Sequence, residues 1–335
     1  MSSLDRILPF LGDIQSIMRD PDVTEVMVNA GGRQIYIERN GRMQLLDGIT
    51  INENKLLLAV KNIARECNDE ISPATPILDA RLEDGSRVAA MYTPCSVNGL
   101  TLTIRRFGRR FSLDQLVDNR ALPLEAARLI CRALSERENI MISGSTSSGK
   151  TTLLNAVADK IPGDPRIILL EETSEISLTL PHVIRFEARR ATAATHNAKA
   201  IDSVTIADLL KAALRHRPDR LVVGEIRGGE AFDLLQALNT GHGGSLTTIH
   251  ANSARQAVDR LAQCVLMAHP NYQLDAIHQS ISHGIQLICH MSRESGARKL
   301  VEIIAITGFD YDTKRITFES FYQAPNAPAN QAKSA

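Results

Sequence analysis

The stretch ENIMISGSTSSGKTTLL, residues 138–154, separates two glycines by four residues and follows the second with a lysine and a threonine. When such a loop joins a strand to a helix, its backbone N–H groups surround a phosphate at the positive end of the helix. Lys150 would then neutralise phosphate charge, and the Thr151 hydroxyl would ligate Mg²⁺. The sequence therefore predicts a P-loop that binds a nucleotide and Mg²⁺, formed by Gly144, Ser145, Thr146, Ser147, Ser148, Gly149, Lys150, Thr151 and Thr152.

Carboxylates follow two apolar runs that we expect to form strands of one sheet. Glu225 ends the run LVVGE, while Glu171 and Glu172 end RIILLEE, with Glu175 close behind. The C-terminal ends of strands in an α/β sheet face one crevice, so these carboxylates would lie beside the P-loop. Glu225 is expected to polarise the attacking water or to hold Mg²⁺ through water, and the second cluster offers another metal-side carboxylate. A solvated loop is the alternative for each.

Two histidines belong to the block NTGHGGSLTTIHAN. His242 lies in a glycine-rich turn, and His250 ends the predicted strand SLTTIH at the edge of the same crevice. A histidine at this edge can contact the γ-phosphate. A zinc site shared by His242 and His250 is the less favoured alternative, because no cysteine or carboxylate follows at ligand spacing.

The pattern of apolar residues changes near residue 121, which divides the chain into regions of different class. Before it, short strands mix with a helix over NENKLLLAVKNIARE, which is typical of an α+β domain. After it, strands alternate with helices, which predicts a parallel sheet with helices on both faces. The domains that we expect are 1–107, α+β; 108–120, a polar linker; 121–323, an α/β nucleotide-binding domain; and 324–335, a disordered tail.

The individual elements follow from the same patterns. The strands expected before residue 121 are EVMVNAG, QIYIERNGR with a turn at Asn40-Gly41, RVAAMY and LTLTIRRF. The strands expected after it are ENIMISG, RIILLEE, HVIRFEA, RLVVGE, SLTTIH, GIQLICHM and KLVEIIAITGF. The helices expected there are 123–136, one that begins at Lys150, 205–216, 229–239, 253–268 and 273–282.

Composition argues against several classes of protein. The 335 residues carry 38 basic and 38 acidic side chains and only 4% aromatic residues, so neither a basic groove nor a base-stacking platform is evident. The five cysteines lack a CxxC pair, which argues against a zinc ribbon and favours a reducing compartment. No stretch approaches the roughly 18 apolar residues that span a bilayer. We therefore expect a soluble chain that does not read specific nucleic-acid sequences.

Four blocks in order, GSTSSGKT, LLEETSEI, RHRPDRLVVGEIRGGEA and NTGHGGSLTTIHAN, resemble motifs of the type II/type IV secretion ATPases, also called traffic ATPases. They are similar to the Walker A motif, Asp box, Walker B motif and His box of that family. DPDVTEVMVNAGGRQIYIERNGR and LDARLEDGSRVAAMYTPCSVNGLTLTIRRF resemble its amino-terminal domain. The resemblance implies a RecA-like ATPase domain, a smaller PAS-like amino-terminal domain, nucleotide between the two, and a hexameric ring.

The resemblance also assigns roles to single residues. It implies that the catalytic residues are Lys150, Glu172, Glu225, His250, Arg87 and Arg105, and that Mg²⁺ is held by Thr151, Glu172 and Glu225, in part through water. Arg87 and Arg105 match arginines that approach the phosphates in relatives, whereas a solvated basic linker is the alternative for Arg109 and Arg110. The sequence departs from the family pattern at two places. Gly228 replaces an acidic residue that is common after GEIR, and Glu171-Glu172 replaces Glu-Asp, so either glutamate could face the metal.

Smaller features indicate the branch of the family. The scattered cysteines do not supply the four-cysteine zinc element of many type II ATPases. The blocks GEIRGGEA and NTGHGGSLTTIHAN look most like the conjugative-transfer ATPases of type IV secretion systems, with pilus-assembly ATPases of the tight-adherence type as the alternative. We expect a hexameric cytoplasmic ATPase, peripheral at the inner membrane, whose partners are secretion or pilus proteins of that membrane. A RecA-like nucleic-acid motor and a small-molecule P-loop kinase are alternatives from other classes.

Overall fold

The computed structural model describes residues 11–12, 14–39, 41–106, 110–189, 191, 202–294 and 297–324. The chain divides into one unit that ends at Arg109 and a second that begins at Arg110. The predicted tail lies outside the described residues except for Ala324. In the described part of the chain, no helix is long and apolar enough to cross a membrane.

Among its described residues, the first unit contains a six-stranded antiparallel sheet, two α-helices and a short 3-10 helix at Ala30–Gly32. Its strands follow the order β3-β2-β1-β6-β5-β4 across the sheet. The elements are α1 (Ile14–Arg19), β1 (Val23–Asn29), β2 (Gln34–Arg39), β3 (Arg42–Leu45), α2 (Glu53–Glu66), β4 (Ile77–Arg81), β5 (Arg87–Met91) and β6 (Thr101–Arg105).

Alternation of apolar and polar residues gives this sheet one buried and one exposed face. In β5, Val88 and Ala90 are buried, and the residues between and beside them point to the other face. Helix α2 begins after Asn52, whose side chain accepts a hydrogen bond from the N–H of Asn54. The residues that α2 contributes to the core are Leu56, Ala59, Val60, Ile63 and Ala64. These elements confirm the predicted α+β class.

The second unit contains an eight-stranded sheet with the strand order β14-β13-β12-β7-β11-β10-β8-β9. Its first elements are α3 (Leu113–Asp118), α4 (Leu124–Ser135), β7 (Ile140–Gly144), α5 (Lys150–Ala158), β8 (Ile167–Glu171), β9 (Val183–Glu187) and α6 (Ile206–Leu214). The remaining elements are β10 (Arg220–Ile226), α7 (Glu230–Leu238), β11 (Leu246–His250), α8 (Ala254–Ala268), α9 (Leu274–Gly284), β12 (Leu287–Glu294), β13 (Ala297–Asp310) and β14 (Arg315–Gln323).

Helices cover both faces of this sheet. All five residues of β7 and of β8 are buried, which is typical of parallel strands between two helical layers. Successive residues of β8 belong to different cores: Leu170 packs with helices α6 to α9, and Leu169 packs with α3, α4 and α5. The predicted α/β architecture with helices on both faces is confirmed.

The sheet is mixed rather than wholly parallel, which corrects the prediction. The six strands from β12 to β9 in the strand order run parallel, whereas β13 and β14 are antiparallel at one edge. Two residues separate β12 from β13, and four separate β13 from β14. Connections this short cannot cross the sheet, so they reverse the chain direction.

Part of the predicted linker, 108–120, belongs to the second unit. Helix α3 begins after Ser112, whose hydroxyl accepts a hydrogen bond from the N–H of Gln115 while the Gln115 side chain reaches back. Leu113 and Leu116 are buried in the core that α4 and α5 share. A polar segment with one apolar pair at helical spacing is therefore anchored to the domain rather than free.

Candidate functional site

The predicted P-loop lies between β7, at the centre of the sheet, and helix α5. A Cβ atom on Gly144 would lie 2.4 Å from the backbone oxygen of Met291 and 2.5 Å from Oγ of Ser148, so only glycine fits. Gly149, which caps α5, has a φ of +98°, a left-handed conformation that favours glycine. The two glycines that define the motif are therefore required by the local backbone.

Lys150 is buried and folds back over the loop. Its Nζ atom donates hydrogen bonds to the backbone oxygens of Gly144 at 3.1 Å and Ser145 at 2.9 Å. The hydroxyl of Ser148 is also buried, and it has no hydrogen-bond partner among the described residues. An ammonium group, an unsatisfied hydroxyl and the N-terminus of a helix are the groups that a phosphate needs. The loop therefore fits a nucleotide phosphate.

The other predicted contact residues of the loop are more exposed than Lys150 and Ser148. Ser145 and Thr146 are exposed, and Thr151 and Thr152 are partly buried in the first turn of α5. Ser147 has a φ of +58°, and its backbone oxygen accepts a hydrogen bond of 3.1 Å from Nε of Arg298 on β13. The antiparallel edge strand β13 thus supports the loop.

Glu225 lies near the end of β10, two strands from the P-loop strand. Its Oε2 atom accepts from Nε of Arg227 at 2.7 Å, and Nη2 of Arg227 lies 2.5 Å away. Its Oε1 atom lies 2.6 Å from Nε2 of His250 but accepts no well-aligned hydrogen bond among the described residues. Both carboxylate oxygens therefore face nitrogen atoms of the protein.

His250 ends β11, the strand between β7 and β10. Nζ of Lys150 lies 3.3 Å from its Nδ1 atom. Because an ammonium can only donate, Nδ1 accepts, and the neutral ring carries its proton on Nε2, which faces Glu225. Burial lowers the pKa of this imidazole, and the positive charges of Lys150 and Arg227 lower it further, against the opposing effect of Glu225.

The structure distinguishes the two adjacent glutamates at the end of β8. Glu171 is buried, and its Oε1 atom accepts 2.8 Å hydrogen bonds from the N–H groups of Glu175 and Ile176. Burial raises the pKa of Glu171 to about 7, against the effect of those hydrogen bonds. Glu172 is half-exposed, and its Oε2 atom lies 2.6 Å from Nη1 of Arg227. Glu171 is the last residue of β8 and is buried, whereas Glu172 follows the strand and is the one that contacts Arg227 beside Glu225.

Arg227 was not predicted as a site residue, yet it connects two that were. It follows the strand that carries Glu225, and its guanidinium spans from there to Glu172 on another strand. The departure at Gly228 is compensated nearby, because Oε1 of Glu230 accepts from the N–H groups of Arg227 at 2.6 Å and Gly228 at 2.9 Å. The block GEIR contained the signal, a cation two residues from the predicted catalytic carboxylate.

The less favoured alternative, a zinc site shared by His242 and His250, does not fit the structure. His242 precedes β11 and His250 ends it, so the whole strand, about 13 Å long at 3.3 Å per residue, lies between the two histidines in the chain. Nδ1 of His242 lies 2.9 Å from the backbone oxygen of Ala237, at the end of α7. Gly244 in the same turn has a φ of +84° and packs against the Arg220 guanidinium. The turn therefore has a structural role.

His290 on β12 is a buried histidine that sequence reasoning missed. Its Nδ1 atom lies 2.9 Å from Oγ of Ser143, the residue before Gly144. Burial lowers the pKa of His290 to about 4, and the nearby charge of Lys150 acts in the same direction. No local pattern marks this residue, because its partner lies 147 positions away in the chain.

Arg87 and Arg105 belong to the first unit, where they lie directly opposite each other on β5 and β6. Opposed residues of an antiparallel pair point to the same face. Nε and Nη2 of Arg87 each lie 3.2 Å from an oxygen of Asp79 on β4. Arg109 lies outside the described residues, and Arg110 pairs with Asp159 in the second unit, so Arg110 is not solvated on all sides.

Among the described residues, no group of three or more histidine, cysteine or acidic side chains is arranged to hold a metal ion by itself. Mg²⁺ in nucleotide sites takes one or two protein ligands and otherwise uses water and phosphate oxygens. Thr151 at the start of α5 and the half-exposed Glu172 supply oxygen atoms of the kind it prefers.

The fold and the site define a two-domain α/β protein of the P-loop ATPase class, in which the P-loop, two carboxylates and a histidine lie on neighbouring strand ends. Residues 12–318 match the model of the family described as Type II/IV secretion system protein, and the chain belongs to this family. The resemblance drawn from the four sequence blocks is thereby confirmed.

Individual relatives point to one branch of the family. The conjugal transfer protein TrbB of Rhizobium radiobacter is 35% identical over 304 residues, which cover 89% of this chain and 88% of TrbB. The type IV secretion system protein PtlH of Bordetella pertussis is 33% identical over 310 residues, covering 84% of this chain and 90% of PtlH. The crystallised ATPase DotB of Legionella pneumophila is similar over 93% of this chain and 82% of DotB, with a TM-score of 0.62 and 19% identity, which shows the fold alone.

Proposed function

We propose that this chain is a Mg²⁺-dependent ATP hydrolase that assembles into a hexamer and powers conjugal transfer or type IV secretion. The observation that carries the proposal is a continuous series of contacts beside the P-loop, in the order Lys150, His250, Glu225, Arg227 and Glu172. Lys150 begins α5 after the P-loop, and the other four residues lie at or just beyond the ends of β11, β10 and β8, which neighbour one another in the sheet. Family membership and relatives named for conjugal transfer and type IV secretion support the choice of process.

The P-loop side chains would bind the phosphates. Lys150 and the N–H groups at the start of α5 supply positive charge and donors, and the buried Ser148 hydroxyl supplies one further donor. The Thr151 hydroxyl and the Glu172 carboxylate, the latter through water, would hold Mg²⁺. Bound Mg²⁺ supplies charge neutralisation on the phosphate oxygens.

Glu225 would orient and polarise the water that attacks the γ-phosphate, or reach Mg²⁺ through water. Contacts on both of its oxygens fix the direction of the carboxylate before substrate arrives. His250 would contribute its Nε2–H as a donor at the same edge of the sheet. Because the ring is neutral, it does not cancel the negative charge of the Glu225 carboxylate.

Arg87 and Arg105 would supply mobile cationic groups from the first domain. Two guanidinium groups on one face of a sheet can clamp charge that develops on a γ-phosphate and withdraw when the domain moves. Such domain motion would couple ATP hydrolysis to movement of secretion proteins at the cytoplasmic face of the inner membrane. A hexameric ring is the assembly that the family resemblance implies.

ATP hydrolysis and particle mass test the proposal together. Phosphate release would be measured for the wild-type chain, Lys150→Ala, Glu225→Gln and the control Glu125→Gln, which changes an exposed glutamate of α4. We expect Lys150→Ala to lose nucleotide binding, and Glu225→Gln to bind ATP while hydrolysing it about 100-fold more slowly. Light scattering with a slowly hydrolysed ATP analogue and Mg²⁺ should give six subunits.

Other outcomes would favour the other classes. Hydrolysis that rises strongly when single- or double-stranded DNA is added would indicate a nucleic-acid motor. A monomer or dimer in every nucleotide state would contradict the ring and favour a kinase or switch. Hydrolysis that is unchanged in Glu225→Gln would refute the role given to that carboxylate.

A further inference from the structure

Arg227 uses all three guanidinium nitrogens on carboxylates from two different strands. Nε and Nη2 lie 2.7 and 2.5 Å from Oε2 of Glu225, while Nη1 lies 2.6 Å from Oε2 of Glu172. The remaining oxygen of Glu225 faces Nε2 of His250 at 2.6 Å. One guanidinium therefore contacts an oxygen of each carboxylate, and the other oxygen of Glu225 faces the histidine ring.

The backbone of Arg227 is fixed, whereas its side chain is exposed. Its N–H donates to Oε1 of Glu230 at 2.6 Å, and its carbonyl accepts from Nη2 of Arg260 at 3.4 Å. The side chain of Arg227 is 55% exposed and that of Glu172 is 52% exposed, but that of Glu225 is only 19% exposed. Ion pairs between exposed groups are weak because water solvates and screens both partners. Arg227 can therefore release Glu172 without any change in its own backbone.

The carboxylates that Arg227 holds are the two that the proposed function assigns to the metal side of the site. A carboxylate oxygen that accepts from a guanidinium has fewer lone pairs for a metal ion or its water. A guanidinium and Mg²⁺ therefore compete for the same oxygens. We infer that Arg227 is a positioning residue that competes with Mg²⁺ for Glu172 and Glu225, and thereby sets how strongly nucleotide binding depends on Mg²⁺.

This inference rests on the proposed function and has a measurable consequence. Without Mg²⁺, Arg227 neutralises two carboxylates that would otherwise repel the nucleotide phosphates. When Arg227 is replaced by a neutral residue, binding of Mg²⁺-free nucleotide should weaken. Binding in the presence of Mg²⁺ should be maintained or improved, because the competitor is gone.

The experiment is a fluorescence titration of the full chain with mant-ADP, in EDTA and at a series of Mg²⁺ concentrations. The readout is the ratio of the dissociation constant in EDTA to that in saturating Mg²⁺. We expect this ratio to rise about fivefold to tenfold in Arg227→Gln. Arg227→Lys keeps the charge but not the forked geometry, so its ratio should lie between those of the wild type and Arg227→Gln. Arg128→Gln removes an exposed arginine of α4 that the structure does not place in the site, and its ratio should match the wild type.

Each other outcome has a definite meaning. An unchanged or smaller ratio in Arg227→Gln would overturn the inference. Equal weakening with and without Mg²⁺ would also overturn it, since a purely structural role affects both conditions alike. Thermal melting of each variant checks that it folds. If the wild-type chain binds no mant-ADP in either condition, the proposed function fails, which is a different result from failure of the inference.

Discussion

His250 ends β11, and its Nε2 atom lies 2.6 Å from Oε1 of Glu225 near the end of the neighbouring strand β10. The other ring nitrogen accepts from Lys150, so the neutral imidazole presents an N–H to the carboxylate. This arrangement requires a neutral His250 ring that carries its proton on Nε2. A protonated ring would lose the contact with the Lys150 ammonium and bind the Glu225 carboxylate more strongly.

The first prediction concerns the pH dependence of ATP hydrolysis. Because burial and the charge of Lys150 lower the pKa of His250 below its ordinary value of about 6.5, the ring is neutral at pH 7. We expect kcat to be level between about pH 7 and 8 and to fall only at more acidic pH, because the lowered pKa moves protonation of the ring below the ordinary imidazole range. Steady-state kinetics from pH 5.5 to 8 would measure this.

A matched pair of variants tests the source of that pH dependence. His250→Gln should lower kcat roughly 10-fold to 100-fold at pH 7.5 and reduce the acid limb. His283→Gln, which changes an exposed histidine at the end of α9, should retain both the rate and the profile of the wild type. An acid limb that persists unchanged in His250→Gln would assign it to another group.

The second prediction separates the adjacent glutamates of β8. Glu171→Ala leaves the N–H groups of Glu175 and Ile176 without their carboxylate acceptor, so it should reduce the free energy of unfolding by about 2 kcal/mol. Glu172→Ala removes a half-exposed side chain and should change stability by less than about 0.5 kcal/mol. Urea unfolding of both variants measures the difference.

The effects of these two positions on ATP hydrolysis should be in the opposite order to their effects on stability. Glu172→Ala is expected to reduce Mg²⁺-dependent hydrolysis strongly, because it removes the proposed metal-side carboxylate, which contacts Arg227. Glu171→Gln retains an acceptor oxygen and should retain most of the rate and the stability. Loss of activity in Glu171→Gln with full activity in Glu172→Ala would contradict the assignment.

Much of the fold and the core of the site could be predicted from sequence, because their signals are local. The P-loop glycines are required by backbone geometry within a few residues, so the motif can be recognised from a short stretch of sequence. Strands such as Ile167–Glu171, buried on both faces, appear as continuous apolar runs between helices. The placement of Glu225 at the crevice followed from one rule about strand ends in parallel sheets.

Other features depend on contacts that no short pattern contains. His290 pairs with Ser143 across 147 positions, and Arg227 joins Glu172 across 55 positions. The choice between Glu171 and Glu172 depends on where β8 ends and on the loop that follows, whose N–H groups hold Glu171. Strand β14 was missed because RITFESFYQ alternates weakly, and its pairing with β13 becomes evident only in the sheet.

The third prediction concerns Arg87 and Arg105, which face the same side of the first-domain sheet. Single replacements by glutamine should leave stability within about 0.5 kcal/mol of the wild type, because exposed charges contribute little to folding. If both side chains contact phosphates, each replacement should lower kcat roughly 10-fold to 1000-fold. Arg42→Gln on β3, another exposed arginine of the same sheet, serves as the control. Wild-type kinetics in both variants would remove these arginines from the catalytic set.

The fourth prediction is a pH-dependent stability difference caused by His290. Its pKa is about 4 in the folded chain and about 6.5 when unfolded, so the unfolded state binds a proton first as pH falls. Wild-type stability should therefore decline through the window from about pH 6.5 down to pH 4. His290→Gln has no such proton, and it can still accept from Ser143.

The measurement is the free energy of urea unfolding for wild type and His290→Gln at pH 7.5 and pH 5.0. Between these values the wild type should lose about 2 kcal/mol more than the variant, which is the proton linkage expected for this shift at pH 5.0. The partly exposed His278 of α9 provides a control, since His278→Gln should follow the wild type at both pH values. Equal losses in wild type and His290→Gln would mean that the ring accepts a proton inside the folded core. The contact with Ser143 next to the P-loop would then not require a neutral histidine.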